Sequence, residues 1–182
     1  MEKYAIALIL EKNEHLEKLN DYLKKFGIDY TDNYFHITLA GFESDNEDYL
    51  IEKVKEFAST HKPFKITLAH LGTFLNDDNI IFLAPQYSKR LYNYYKNLKH
   101  IVCANKDIIL SPFYKSKIWA PHCSLAYKID REKYYNIFNN MTNLVELPFE
   151  VTATKIDIYE YSNKKEKIFE CNLKIKPCKK LD

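Results

Sequence analysis

The sequence lacks the cysteine patterns that mark metal sites and disulfide frameworks. Its four cysteines form no CxxC pair and have no histidine at zinc-finger spacing; they are Cys103, Cys123, Cys171 and Cys178. This excludes a small secreted scaffold held together by disulfides. Reduced thiols in a cytoplasmic protein are expected instead.

Strong net charge and long apolar runs are also absent. The 182 residues carry a formal net charge of +2, which is too small for nucleic-acid binding by bulk electrostatics. Any affinity for RNA must therefore come from a local site. No apolar stretch reaches the roughly 20 residues of a membrane-spanning helix. We expect a soluble monomer with no membrane partner and enough residues for a self-supporting core.

A four-residue pattern occurs twice in the chain. Residues 36–39 read His-Ile-Thr-Leu, and residues 122–125 read His-Cys-Ser-Leu. In a β-strand, residues two apart lie on the same face, roughly 7 Å apart. Each copy therefore places an imidazole beside a hydroxyl. Two imidazoles can supply a general base and a general acid, while two hydroxyls can donate to phosphate oxygens.

Hydrophobic spacing predicts alternating strands and helices along the chain. Strands are predicted at residues 4–10, 34–42, 64–74, 79–83, 119–128, 149–161 and 167–175. Helices are predicted at residues 13–26, about 45–60, about 88–104 and about 130–141, with Ser44 or Asp45 as the cap of the second. Each His motif is thus followed by a helix and a hairpin.

The second halves of these units are also similar. Residues 63–67 read Pro-Phe-Lys-Ile-Thr and residues 148–152 read Pro-Phe-Glu-Val-Thr, at nearly the same distance past each motif. We interpret this as duplication of a β-α-β-β unit, with repeats at roughly residues 34–84 and 119–176. The predicted fold is α+β, a single bilobal domain over residues 1–182, with two antiparallel sheets around a central cleft and helices outside.

Regular alternation assigns faces to the motif strands. It places one set of side chains toward the cleft, namely Tyr34, His36, Thr38, Ala40, Phe42, Ala120, His122, Ser124, Ala126 and Lys128. Ala40 and Ala126 would leave room for a substrate. Tyr34 and Phe42 are candidates for base stacking and Lys128 for a phosphate contact, although Lys128 is equally well explained as a solvent-exposed lysine. Cys123 would point into the core.

A two-histidine metal site is the rival chemistry for His36 and His122. It has no support, because no Asp, Glu or Cys lies on the predicted cleft faces to complete a ligand set. No metal or other cofactor is therefore expected.

With these motifs, the chain resembles the 2H phosphoesterase superfamily, also described as the 2′,5′ RNA ligase and cyclic phosphodiesterase family. The lead-in Trp-Ala-Pro at residues 119–121 also resembles a feature common before one of its motifs. The resemblance implies that His36 and His122 are catalytic and that Thr38 and Ser124 bind phosphate. It also implies the bilobal fold and metal-independent chemistry.

The predicted function is a hydrolase acting on 2′,3′-cyclic phosphates or 2′,5′-linked RNA and nucleotides, with a possible role in RNA processing and weak ligase activity in reverse. The pseudo-symmetry of the motifs leaves either histidine as the acid. The main alternative is a non-catalytic nucleotide- or RNA-binding module of the same fold. Retention of all four motif residues favours the enzyme, because binding alone requires neither an acid nor a base.

Overall fold

The computed structural model describes residues 1–28, 35–74, 79–144, 146–162 and 166–174. Four α-helices lie within these residues: α1 (Glu14–Lys24), α2 (Glu47–Thr60), α3 (Lys89–Val102) and α4 (Arg131–Leu144). Eight strands accompany them: β1 (Glu2–Leu10), β2 (His36–Ser44), β3 (Phe64–Phe74), β4 (Ile80–Pro85), β5 (Ile109–Leu110), β6 (Cys123–Ala126), β7 (Phe149–Glu160) and β8 (Glu166–Asn172). A short 3₁₀ helix spans Pro112–Tyr114.

Polar caps and apolar stripes explain where the first helices form. The Asn13 side chain accepts a hydrogen bond from the Leu16 N–H at the start of α1, and that helix buries three leucines against the sheet. Helix α2 is capped by Asn46, one residue beyond the two predicted positions, because the Ser44 hydroxyl instead accepts from the Asn46 N–H. Among the described helices, none is both long enough and apolar enough to pass through a membrane.

All the strand pairs are antiparallel, and the strands follow the order β5-β2-β1-β7-β3-β4-β6, with β8 also paired to β7. The α+β class is thus confirmed. The structure differs from the prediction of two sheets, since hydrogen bonds join all the described strands into one. The reason is the 12-residue strand β7. One side of it pairs with β1, and the other side pairs with β3 near its start and with β8 further on.

The pairings also divide each predicted repeat between the two parts of the sheet. In the first repeat, β2 pairs with β1 and β5, whereas the β3–β4 hairpin pairs with β7 and β6. In the second repeat, β6 pairs with β4, and the β7–β8 hairpin pairs with β1. Strand β6 of the second repeat therefore pairs with the first repeat's hairpin, and only β1 separates β2 of the first repeat from the second repeat's hairpin. Consecutive segments of the chain do not form separate sheets here.

Both motif strands contain a β-bulge at the same place. In β2, Thr38 pairs with Ala7 and Ala40 pairs with Ile6, so Leu39 has no partner in the ladder. In β6, the same register shift leaves Leu125 unpaired. Each bulged residue is the leucine that ends the four-residue motif. A bulge adds one residue to one strand and therefore reverses the alternation of side chains beyond it.

This reversal corrects the predicted faces. We call the face that carries His36 and Thr38 the motif face, and the opposite face the core face. Ala40, Phe42 and Ala126 lie on the core face, each at most 1% exposed, and Phe42 stacks on Tyr4 with ring centroids 6.1 Å apart. Hence Phe42 is a core residue and not a base-stacking candidate, and the two alanines do not line a cleft.

Truncating Phe42 tests this correction. We expect Phe42→Ala to lower the free energy of unfolding by about 3–5 kcal/mol, because it leaves a cavity in the core. Phe113→Ala is the matched control, since that ring is 75% exposed and its loss should change stability by at most about 0.5 kcal/mol. Urea unfolding followed by circular dichroism measures both. Unchanged stability in Phe42→Ala would place the ring outside the core.

Candidate active site

The first motif lies where β2 begins. His36 and Thr38 are half-buried and pair with Ile9 and Ala7 of β1, so their side chains share the motif face. The ring of Tyr159 lies beside the His36 imidazole, with centroids 6.1 Å apart. Ala7, Ile9 and Tyr159 form a small buried cluster separate from the main core. These apolar side chains lie beside the imidazole and the hydroxyl, together with the buried carboxyl of Asp157, which accepts a hydrogen bond from the Tyr159 hydroxyl.

The second motif lies at the start of β6. His122 directly precedes the strand, and Ser124 pairs with Phe82 of β4. His122 Nδ1 is 2.8 Å from the carbonyl oxygen of Ala120. Because a carbonyl can only accept, Nδ1 carries a proton and donates it there. The neutral imidazole then keeps its lone pair on Nε2, which suits it to accept a proton from a substrate or water.

Two phenylalanine rings enclose the His122 imidazole. The Phe74 ring meets it edge-on with centroids 4.9 Å apart, and the Phe82 ring lies 5.3 Å away. This burial lowers the pKa of His122 below its ordinary value of 6.5, against the hydrogen bond to Ala120, which acts to raise it. His122 is therefore mainly neutral at pH 7.

Two contacts bring the motif strands together. The indole N–H of Trp119 donates to the carbonyl oxygen of Thr38 at 3.1 Å. The thiol of Cys123 lies close to the backbone of His36, and β2 packs against β6. Because β2 and β6 lie toward opposite ends of the strand order, the sheet must curve until these ends meet. The tertiary fold thus makes neighbours of two motifs 86 positions apart, as their numbering shows.

Cys123 has a structural role, as its position in the sequence predicted. Its side chain is fully buried, and burial raises the pKa of its thiol to about 12, while the nearby backbone of His36 opposes that rise. The thiol is therefore protonated at neutral pH and is not a nucleophile. Cys103 and Cys171 are also free thiols.

The structure gives a different result for each of the three residues predicted to contact the substrate. Tyr34 lies outside the described residues, and Phe42 belongs to the core. Lys128 follows β6 with an exposed side chain and a left-handed backbone, φ 54°. The alternation that placed Lys128 on the motif face ends at the Leu125 bulge, and Lys128 lies beyond the end of β6. Its exposure agrees with the alternative of a solvent-exposed lysine, and a phosphate contact stays a prediction. Within the described parts of the chain, no group of three or more His, Cys, Asp and Glu side chains is placed to hold a metal.

Two aromatic residues beside the motifs were not among the site residues predicted from the sequence. Tyr114 lies against Gly41, and Phe82 lies against Gly72: a Cβ on either glycine would come within 2.7 Å and 2.5 Å of the ring. The chain has only three glycines, and these two interrupt predicted strands. An isolated glycine in a strand indicates a bulge or a close approach, so this signal was present in the sequence.

Comparisons with known proteins show the family to which the chain belongs. Residues 11–165 match the family model of the 2′-5′ RNA ligase superfamily. The match covers more than half of the sequence, so the chain belongs to this superfamily, the 2H phosphoesterases. A search of curated proteins finds no match.

Solved structures show the same fold at low sequence identity. Escherichia coli LigT complexed with 3′-AMP is 13% identical with a TM-score of 0.60, over 96% of this chain and 99% of LigT. TT0787 of Thermus thermophilus is 15% identical with a TM-score of 0.60, over 94% and 97% of the two chains. Usb1 of Kluyveromyces marxianus is 13% identical with a TM-score of 0.50, over 96% and 98%.

The environment of His122 can be tested without any substrate. We expect NMR titration of its ring protons to give a pKa below 6.5. Phe82→Ala should raise that pKa toward the ordinary value, because it exposes the imidazole to water. Phe113→Ala, which removes an exposed ring, should leave it unchanged. A His122 pKa at or above 6.5 in the unaltered protein would contradict the role of burial.

Proposed function

We propose that this chain is a phosphodiesterase that opens 2′,3′-cyclic phosphates at RNA or nucleotide ends, or cleaves 2′,5′-linked substrates, by general acid–base catalysis with His36 and His122. One observation carries the proposal. Two copies of the motif, each ending in a bulged leucine, meet through the contacts of Trp119 with Thr38 and of Cys123 with His36. Membership of a superfamily of phosphoesterases and RNA ligases supports it.

The surroundings of His122 favour it as the general base in hydrolysis. Burial lowers its pKa and so favours the neutral imidazole, and its Nδ1–H donates to the Ala120 carbonyl, so Nε2 can take a proton from water. The water oxygen then attacks phosphorus, and the bond from phosphorus to one ribose oxygen breaks. His36, protonated, gives its proton to that oxygen. Exchange with solvent restores both imidazoles.

Thr38 and Ser124 are the proposed phosphate ligands. Their hydroxyls would donate to the non-bridging oxygens, on which negative charge grows as water adds to phosphorus. A hydrogen bond to a charged oxygen contributes about 1.5–3 kcal/mol, more than one between neutral groups. Both hydroxyls belong to the same motifs as the imidazoles, so the proposal assigns the acid, the base and the oxygen ligands to one site.

The nucleotide class of the substrate rests on the structural neighbours. LigT has been solved with 3′-AMP, a nucleotide whose phosphate stands on a ribose hydroxyl. We propose the same class of ligand for this chain, as a product or a cyclic precursor. The monomeric state and the cytoplasmic location expected from the sequence stay predictions.

Single substitutions of the motif residues test the proposal. With 2′,3′-cyclic AMP as substrate and chromatographic separation of products, His36→Ala and His122→Ala should each lower kcat by about 10²–10⁴-fold. Thr38→Ala and Ser124→Ala should each lower kcat/KM by about 10–100-fold, since each removes one hydrogen bond to a charged oxygen. EDTA should have no effect.

His100→Ala is the matched control, because that imidazole is exposed on α3. It should retain full activity. Full activity in either motif histidine variant would reject the mechanism. Binding of nucleotide by the unaltered protein without turnover would support a binding module of the same fold instead.

A further inference from the structure

Tyr114 lies directly over the first motif. It ends the 3₁₀ helix in the segment that leads to the second motif. Its ring rests on Gly41, where a Cβ would lie only 2.7 Å from the ring carbon Cε2. Contacts below about 3.0 Å are essentially never seen for a real Cβ, so any other residue at position 41 would displace the ring. Glycine is thus required here by the close approach of Tyr114.

The bulge at Leu39 makes this arrangement possible. Thr38 and Gly41 are three residues apart, and in a regular strand they would lie on opposite faces. In β2 they pair with Ala7 and Ala5, which are two residues apart in β1, so both lie on the motif face. A ring seated on Gly41 can therefore reach the Thr38 side chain.

The Tyr114 hydroxyl lies within reach of the Thr38 side chain, on the same face of β2. Burial raises the pKa of Tyr114 to about 12, the nearby Tyr161 adds to the rise, and the Thr38 hydroxyl opposes it. The phenol therefore keeps its proton at neutral pH. A protonated phenol can donate to Thr38 Oγ1, which leaves the single Thr38 proton free for another acceptor.

The backbone around Tyr114 is fixed by three further hydrogen bonds. The Tyr95 hydroxyl of α3 donates to the Tyr114 carbonyl oxygen at 2.7 Å. The Ser111 N–H donates to the Gly41 carbonyl oxygen at 2.9 Å, and the Tyr114 N–H donates to the Ser111 carbonyl oxygen at 3.0 Å. The phenol is therefore preorganised by α3 and β2 before any ligand binds.

We propose that Tyr114 is a positioning residue: its hydroxyl donates to Thr38 and thereby directs the Thr38 O–H at a non-bridging phosphate oxygen. The inference rests on the proposed function, because it assigns Thr38 a phosphate to bind. Gly41 is also required, because only a residue without a Cβ leaves room for the Tyr114 ring. No contact between Tyr114 and the phosphate is needed.

Removing only the Tyr114 hydroxyl tests the proposal. With 2′,3′-cyclic AMP, Tyr114→Phe should lower kcat about tenfold, the effect of losing roughly one oriented hydrogen bond, while KM changes less than twofold. Gly41→Ala should do the same by displacing the ring. In a Thr38→Ala background, both substitutions should have no further effect, because Tyr114 acts through Thr38.

Two controls separate this role from folding. Tyr135→Phe removes the hydroxyl of an exposed tyrosine on α4 and should leave kcat and KM unchanged. Thermal unfolding of Tyr114→Phe and Gly41→Ala, followed by circular dichroism, shows whether each variant is folded at the assay temperature. The comparison with the Thr38→Ala background is made only between folded proteins.

A binding measurement separates this proposal from the proposed function. The phosphate of 3′-AMP carries about −1.5 to −2 charges at neutral pH and so resembles the charged transition state more than the cyclic diester does. By calorimetry, Tyr114→Phe should weaken 3′-AMP binding at least threefold in the unaltered background and not in Thr38→Ala. If Tyr114→Phe weakens 3′-AMP binding in this way but the unaltered protein does not turn over the cyclic substrate, the positioning role is supported and the proposed enzymatic activity is rejected.

Three results would overturn the positioning role. The first is a tenfold loss that persists in the Thr38→Ala background, which would show that Tyr114 acts independently of Thr38. The second is unchanged kcat and unchanged 3′-AMP affinity in Tyr114→Phe. The third is faster turnover in that variant, which would show that the phenol accepts the Thr38 proton and competes with phosphate. A protein that neither binds 3′-AMP nor cleaves the cyclic substrate would reject both proposals.

Discussion

Leu39 and Leu125 each insert one unpaired residue into a motif strand, and this irregularity determines which side chains reach the motif face. Without it, the large ring of Phe42 would share a face with Thr38. Burying such a ring contributes about 1.5–3 kcal/mol, whereas a hydrogen bond lost from the ladder costs about 0.5–1.5 kcal/mol net. The bulged strand is therefore lower in free energy than a regular one. It also places Gly41 on the motif face, where a regular strand would place Phe42.

Glycine is scarce in this chain, and its placement follows from close packing around the motifs. Gly41 lies beneath Tyr114, which contacts Thr38, and Gly72 lies beneath Phe82, which packs on His122. In each half of the site, an aromatic ring approaches a backbone that has no Cβ. The two rings act differently: Tyr114 places its hydroxyl beside Thr38, the proposed phosphate ligand, while Phe82 removes water from the His122 imidazole and lowers its pKa.

The segment before the second motif connects the two halves of the site. The Trp119 indole donates to the Thr38 carbonyl, and the Tyr114 hydroxyl lies within reach of the Thr38 side chain. Helix α3 supports both, because Tyr95 stacks on Trp119 with centroids 4.0 Å apart and donates to the Tyr114 carbonyl. A shift of this segment would therefore move Thr38 and His122 together. Solved structures that are 13–15% identical to this chain share its fold.

The sequence by itself determined the secondary structure and the motif residues, because both depend on local spacing. The period of two placed each histidine beside its hydroxyl, and the period of 3.6 located four helices whose caps and apolar stripes agree with the structure within a few residues. The α+β class and the superfamily followed from these patterns.

Only the tertiary structure decided the register, the sheet and the surroundings of the site. The bulges depend on pairing with β1 and β4, the single sheet depends on the length of β7, and the burial of His122 depends on rings from two other strands. Phe42, Ala40 and Ala126 were misplaced for this reason, since alternation was extended through a residue that has no partner. Strand pairing is a contact between distant segments, and the spacing within one segment carries no record of it.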